Sequence, residues 1–389
     1  MAWKVQRMES QKQKFVYLYQ THRFTMTDLC QECDISRPTG YALWDRYEKE
    51  GMEAFVARPR RHQNHPLKTS ERIENAILEE RKKHPRWGAR KLLVLLERRG
   101  IKACPSETTV NIILKKHGLV TPRNKRGRTI QNQFPIFDPK ESNEVWSADF
   151  KGKFPLGNRS YCYPLTIADS YSRFLFAIQG LEYTRTEECK PVFEKVFREF
   201  GLPLQIHTDN GPPFGCHMSL RRMSSFSVWL MDYGITPVYS DPGHPEQNGR
   251  HERMHRDLKA AATRPAKDTF RAQQRAFDAF LEEYNEVRPH EALGMKTPCQ
   301  VHRLSPREYP ERVGEWVYNA RMAVKLVTVN GAMRWKSVGL VMISTALTTK
   351  YIGLDPIDDG LWLVYYRHVP LGYFCERTMK VYDLEKYQF

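Results

Sequence analysis

Apolar positions recur at helical spacing through the first third of the chain. Phe15, Val16, Leu18 and Tyr19 form one stripe, and Thr27-Asp28-Leu29-Cys30 opens a second short helix. After the turn Asp34-Ile35-Ser36, a third helix starts at Arg37, and Pro38 is tolerated there because first-turn N–H groups lack intrahelical partners. The same order returns downstream. Ile73, Ala76 and Ile77 mark a helix running to His84, residues 88–96 a second, and residues 105–114 a third with Ser106 placed to cap it. Helix, helix, turn, helix is the order of a helix-turn-helix unit, whose last helix lies in the major groove of DNA. The pattern predicts two such all-α units, residues 1–58 and 66–122, and a basic linker over 123–140.

The period changes at Val145. Residues 145–149, 161–169 and 174–178 are β-rich runs joined by short turns, which predicts three antiparallel strands. Residues 186–200 read as an amphipathic helix ending at Gly201, followed by a strand over 204–207. Strands followed by βα alternation imply a mixed sheet flanked by helices, here a five-stranded one within residues 141–305. Further on, residues 324–329 and 334–341 flank Asn330-Gly331, a pair suited to a type I′ hairpin turn. With the runs 361–366 and 372–375, a small β-barrel is expected over 315–389.

Composition narrows the class. The hydrophobic fraction of 41% is ordinary for a soluble protein, and no apolar run approaches the roughly 18 residues of a membrane span. No secretory signal follows Met1, so an intracellular location is expected, with no membrane and no small-molecule substrate. Charge is uneven: residues 1–130 hold 28 Lys and Arg against 14 Asp and Glu, and the remainder 33 against 31. A basic front suits phosphate neutralisation, so duplex DNA is the expected partner. The candidate readers are Arg37, Thr39 and Tyr41 at the start of the third helix, and Thr108 in its counterpart. Arg60 and Arg61 in the first linker, and Arg123, Arg126 and Arg128 in the second, are candidate backbone contacts. Of eight cysteines, only Cys30 and Cys33 have metal-ligand spacing. Zinc needs four ligands, so both are expected to face a core as buried thiols.

Three acids carry the candidate chemistry. Asp149 ends the strand-like run Val145-Trp146-Ser147-Ala148-Asp149, Asp209 sits in His207-Thr208-Asp209-Asn210-Gly211, and Glu252 opens a helical pattern; they are 60 and 43 positions apart. If folding gathers them, their hard oxygen donors suit two Mg²⁺ ions, with Mn²⁺ as a substitute. A helix starting near Asn248 puts Arg256 and Lys259 on the face of Glu252, where cations would position a DNA end, and Gly249 beside Asn248 allows close approach of backbone to DNA. Asp169, before a Ser-Tyr-Ser turn, is expected to cap that turn.

The blocks Trp146-Ser147-Ala148-Asp149, His207-Thr208-Asp209-Asn210-Gly211 with Phe214, and Pro245-Glu246-Gln247-Asn248-Gly249-Arg250-His251-Glu252 resemble the three signatures of the retroviral-integrase-type DDE core. The run Tyr284-Asn285-Glu286-Val287-Arg288-Pro289-His290-Glu291-Ala292-Leu293-Gly294 resembles the tail of that core in bacterial insertion-sequence transposases. The resemblance implies a ribonuclease-H-like fold, transposase or integrase activity, and Asp149, Asp209 and Glu252 as catalytic metal ligands. A transposase would bind the terminal inverted repeats of its element, cleave 3′ ends and transfer them into target DNA. It would act in the bacterial cytoplasm at the nucleoid as at least a homodimer. Two alternatives stand beside it: a catalytically silent DNA-binding regulator or targeting subunit that keeps the core as scaffold, and a ribonuclease-H-like nuclease on RNA–DNA hybrids. The insert between Asp209 and Glu252 is longer than in the retroviral pattern, and its stretch Met218–Ser227, rich in Ser, Arg and Met, has no role readable in the sequence.

Overall fold

The structure is a computed structural model that describes residues 8–56, 68–120, 138–216, 219–241 and 249–384. It divides into two compact units, Met1–Glu71 and Arg72–Phe389.

The first unit holds α1 (Met8–Gln20), α2 (Met26–Glu32) and α3 (Arg37–Glu50), closed by a 3₁₀ turn at Gly51–Phe55. Thr25 and Asp28 form a capping box at α2, and the Ser36 hydroxyl accepts from Thr39 N at α3, so both starts satisfy otherwise orphaned donors. Phe15, Val16, Met26, Leu29, Cys30 and Phe55 make its core. Gly40 is buried where α3 crosses α2; a Cβ there would meet Cys30 Sγ at 2.5 Å and Met26 Sδ at 2.9 Å. Cys30 is buried, whereas Cys33 caps the end of α2 and is exposed. The expectation that both thiols face a core fails at Cys33, because the helix ends there and its face turns to solvent.

The second unit begins with another helical trio, α4 (Glu71–Lys83), α5 (Ala89–Arg98) and α6 (Glu107–Lys116), around Ile77, Leu92, Leu96, Val110 and Leu114. Ser106 caps α6 by accepting from Thr109 N at 3.3 Å. Arg81 donates to the carbonyls of Trp87 and Leu119, tying the trio's ends together.

Then follow β1 (Val145–Phe150), β2 (Phe154–Pro155), β3 (Tyr161–Asp169), β4 (Leu175–Leu181), α7 (Thr186–Phe200), β5 (Gln205–Thr208), α8 (Ser225–Asp232), β6 (Thr236–Tyr239), α9 (Gly249–Ala262), α10 (Phe270–Glu282) and α11 (Pro298–Val301). The main sheet runs β4-β3-β1-β5-β6, and the two-residue β2 adds to β3, giving six strands where five are expected. β1 pairs antiparallel with β3 and parallel with β5, so the sheet is mixed. One face packs Trp146, Leu165 and Ile167 against Phe193 and Phe197 of α7 and Phe226 of α8. The other packs Cys162, Leu175 and Ile178 against Met254 and Leu258 of α9 and Phe277 of α10. Helices cover both faces, as a sheet with apolar positions of both parities requires. The helical trio is joined to this core: His84 Nδ1 lies 2.9 Å from Glu283 Oε1, and Arg98 Nη1 donates to Val287 O at 3.0 Å.

The C-terminal part comprises β7 (Ala323–Leu326), β8 (Ala332–Trp335), β9 (Gly339–Met342), β10 (Tyr351–Asp358), β11 (Leu361–Tyr366), β12 (Val369–Cys375) and β13 (Lys380–Asp383). It is not the expected barrel. The five-stranded sheet β13-β12-β11-β10-β7 is open, and β8-β9 forms a separate pair. Closure is unnecessary because the apolar face is covered otherwise. Met333, Trp335 and Val341 of the hairpin share one core with Ile352, Leu354, Val364 and Phe374, and Met223, Val228 and Met231 complete it. The expected hairpin is reduced to its turn, where Val327 bridges Met333 antiparallel. β7 pairs with β10, and β8 turns into β9. At Asn330-Gly331 only Gly331 has positive φ, +77°, so no type I′ turn forms. Gly331 N donates to Thr328 O and Thr328 N to Ala332 O, the bonding of a type I turn followed by a left-handed residue.

The stretch from Leu220 to Asp232, within the long insert, thereby gains a structural role. Asp232 accepts from Lys350 Nζ at 2.8 Å and Tyr366 Oη at 2.5 Å, with Arg367 Nε at 3.2 Å, fastening α8 to the C-terminal sheet.

Candidate active site

β1 and β5 run parallel in the register Val145↔Gln205, Trp146↔Ile206, Ser147↔His207. Two residues further on, the same register sets Asp149 beside Asp209 at the carboxyl ends of neighbouring strands. Alternation turns Ser147 and Asp149 to the face opposite buried Trp146 and Ala148, the face that α9 covers. Asp149 is half-buried and Asp209 exposed; Gly211 N donates to Asp209 Oδ1 at 3.3 Å, shaping the turn after β5. Phe214 is buried against Phe150 and Phe226 and seats that turn on the core.

Thr166 faces Asp149 across the β1–β3 ladder and is fully buried. Its hydroxyl donates to Asp149 O at 2.9 Å and meets His251 Nε2 and His255 Nε2, each at 2.8 Å. A hydroxyl has one proton, already given to the carbonyl, so both imidazoles present Nε2–H to its lone pairs. Ser147 Oγ then serves His251 Nδ1 at 2.9 Å. Burial pushes His251 down to about 3 and His255 down to about 2, so both rings are neutral at neutral pH. His255 Nδ1 stands 3.8 Å from Asp149 Oδ2. The two histidines are four residues apart on α9 and fasten that helix to β1 and β3 around Glu252. Glu252, Arg256 and Lys259 occupy the exposed face of the same helix.

Lys151 lies within electrostatic reach of both Lys259 and Asp149, and burial draws its pKa down. Among the described residues no three His, Cys, Asp or Glu side chains converge closely enough to hold a metal ion. Asp149 and Asp209 come to adjacent strand ends, and Glu252 sits on the helix packed over that face. The donors fit a hard divalent cation in kind, all three being carboxylates.

His207 is buried, paired with Ser240 Oγ at 3.0 Å, and pushed down to about 4 by burial. Asp169 is buried and accepts from Ser172 N at 3.0 Å and Asn143 N at 3.3 Å; it caps its turn and stands apart from the acids. Arg288 pairs with Asp257, and His290 packs edge-on to Tyr284, so both stabilise the end of the core. Of the candidate readers, Arg37, Thr39, Tyr41 and Thr108 are exposed in the first turns of α3 and α6, though the Thr39 hydroxyl is held 2.8 Å from Ser36 Oγ. Arg60, Arg61, Arg123, Arg126, Arg128 and Asn248 lie outside the described residues. Sequence reading missed Thr166, His255 and Lys151. The signal for the first two was a pair of histidines at i and i+4 on the inward face of α9.

The fold and this arrangement define a protein with an integrase-type core behind helix-turn-helix domains. Family models described as Integrase core domain match residues 139–245 and 233–298, a Helix-turn-helix domain matches 11–62, and a Homeodomain-like domain matches 39–114. The chain is 28% identical over 224 residues to the insertion element IS407 uncharacterized 31.7 kDa protein of Burkholderia multivorans, covering 55% of this chain and 75% of that one. It is 30% identical over 119 residues to the Pol polyprotein of radiation murine leukemia virus, 31% of this chain and 19% of that one. Among solved structures, the HTLV-2 integrase catalytic core domain in complex with magnesium aligns with 43% of this chain and all of its own, at 19% identity and TM-score 0.34. The simian T-cell lymphotropic virus intasome in complex with PP2A regulatory subunit B56 gamma aligns with 76% and 97% of the two chains, at 18% identity and TM-score 0.37. Over residues 139–298 the chain is thus similar to integrase core domains, and over 224 residues to a protein of an insertion element.

Proposed function

We propose that this chain is a DNA transposase, a DDE-type polynucleotidyl transferase that binds the terminal inverted repeats of its element, cleaves their 3′ ends and joins them to target DNA. The observation that carries this reading is the β1–β5 register, which brings Asp149 and Asp209 to neighbouring strand ends beneath the helix bearing Glu252. In this reading Asp149, on the inner strand, Asp209 and Glu252 would hold two Mg²⁺ ions. Bound there, the ions would activate the attacking oxygen and stabilise the departing one.

The chain's own residues do the rest. Thr166, His251 and His255 hold α9 at a fixed height over β1, so the Glu252 backbone is set without relying on its own exposed side chain. Arg256 and Lys259, one and two turns on, carry charge along the exposed face where a phosphate backbone would lie. Lys151 adds a third cation near Asp149. The two helix-turn-helix units supply duplex recognition through α3 and α6, with the basic linkers 57–66 and 123–140 along the backbone. Acting on two ends requires at least a dimer.

The test is Asp149→Asn assayed on DNA fragments that carry the repeats bordering the coding gene. End binding should persist while Mg²⁺-dependent nicking and joining disappear. Joining by that variant would remove Asp149 from the reaction. End binding by the wild type with no metal-dependent nicking would instead support a regulator that keeps the core as scaffold.

A further inference from the structure

A cleft of 390 Å³ opens beside the first turn of α9, lined in part by Asp138, Ser170, Arg173, Arg250 and Lys296. Its volume lies inside the range of about 300–1,000 Å³ usual for ligand pockets. Three of those five side chains are cations drawn from separate parts of the core. Arg173 ends the turn between β3 and β4, Arg250 opens α9, and Lys296 precedes α11. Two of them converge on one atom: Arg173 Nη1 donates to Ser170 O at 2.6 Å and Arg250 Nη1 to the same oxygen at 3.1 Å.

No ion pair among the described residues neutralises Arg173, Arg250 or Lys296, and the one acid on the rim, Asp138, pairs with Lys140. Burial, with Arg250 beside it, brings the Arg173 guanidinium down to about 10, which leaves it charged at neutral pH. Three like charges around a concave polar surface repel one another, and an anion seated between them would relieve that repulsion. Guanidinium pairs suit phosphate oxygens in particular, because their planar forks donate in parallel. Arg250 is two residues before Glu252 on the same helix, about 3 Å along its axis. The two side chains leave the helix about 200° apart. Ser170 N bonds Val145 O, four residues before Asp149 on β1. The cleft thus lies about 13 Å along that strand from the acid, and a DNA strand held at the acids would reach it a few phosphates away.

We propose that the Arg173–Arg250–Lys296 cleft is a phosphate pocket that seats a backbone phosphodiester of the DNA strand entering the acid centre. The proposal rests on the transposase reading for its ligand. Its test is independent of catalysis.

Binding of a fluorescein-labelled duplex to the full chain is measured by anisotropy in EDTA, between 50 and 200 mM KCl. Each phosphate deprived of its cation lowers the slope of log K against log salt by about 0.9, roughly an eightfold weakening at 0.1 M salt. Lys296→Gln and Arg250→Gln should each show part of that reduction, since two cations remain on the same phosphate, and Lys296→Glu a larger one. Thermal unfolding of each variant confirms that it is folded; Lys296 is exposed, so its replacement leaves the fold intact. Unchanged slopes in folded Lys296→Gln and Arg250→Gln overturn the pocket. A reduction seen only with a duplex carrying 5′-phosphates would assign the cleft to a strand terminus and overturn the backbone assignment. An altered slope together with joining by Asp149→Asn would sink the catalytic reading and leave the pocket standing.

Discussion

Thr166→Val is the sharpest test of how the acid-bearing strand and the helix above it are held together. The substitution keeps nearly the same volume and deletes only the hydroxyl. That hydroxyl is the acceptor for two buried ring N–H groups, His251 Nε2 and His255 Nε2, and the donor to Asp149 O. The three side chains that meet there are all buried: Thr166 is 0% exposed, His251 3% and His255 7%, so water cannot replace the missing oxygen. At about 1–3 kcal/mol for each buried donor left without an acceptor, the substitution costs about 2–6 kcal/mol. In domains of 150–250 residues each kcal/mol lowers Tm by about 2–4 °C, so a fall on the order of 10 °C is expected. Thr166→Ser keeps the hydroxyl and loses one methyl, a cost of about 1 kcal/mol. The assay is thermal or urea unfolding of wild type and both variants at pH 7.5. A Thr166→Val variant as stable as Thr166→Ser would refute the role given to the hydroxyl.

Gly40→Leu should unfold the first unit, since a Cβ already meets Cys30 Sγ at 2.5 Å; loss of the near-ultraviolet circular dichroism of Trp44 checks it. Asp232→Asn removes the charge facing Lys350 and Arg367 and should release the C-terminal sheet from α8, read as faster proteolysis between residues 310 and 322. His290 is pushed down to about 3, first by burial and then by Arg288 and Lys91. Its folded pKa lies below the unfolded value, so the unfolded state takes up the proton first. Stability therefore falls as pH drops below about 6.5, by up to about 1.4 kcal/mol per unit from this group. His290→Asn should flatten the stability profile between pH 6 and 4, and an unchanged slope would contradict the burial of that ring.

The strand pattern of the integrase-like core was legible because its constraints are local. Trp146 and Ala148 alternate with partly buried Ser147 and Asp149, so strand, face and the position of the acid all follow from a two-residue period. Gly201 at φ +79° ends α7 where the sequence places its stop. What was not legible depends on partners far away in the chain. β7 contains apolar residues equally able to pair with β8, yet it pairs with β10, some 25 positions on. Nothing in Val324-Lys325-Leu326 encodes that choice. The open C-terminal sheet escaped for the same reason, since its cover comes from Met223, Val228 and Met231 of the insert and α8. His255 was overlooked because a histidine on a helix reads as polar surface unless a buried hydroxyl awaits it, and Thr166 sits 89 positions earlier.

The central claim is that Asp149, Asp209 and Glu252 hold the divalent ions of a strand-transfer centre. Equilibrium titration of the protein–DNA complex with Mn²⁺, followed by electron paramagnetic resonance, tests it most directly. Two ions should bind the wild-type complex, and fewer should bind the Asp149→Asn, Asp209→Asn and Glu252→Gln complexes. Unaltered Mn²⁺ uptake by the Asp149→Asn complex would contradict it.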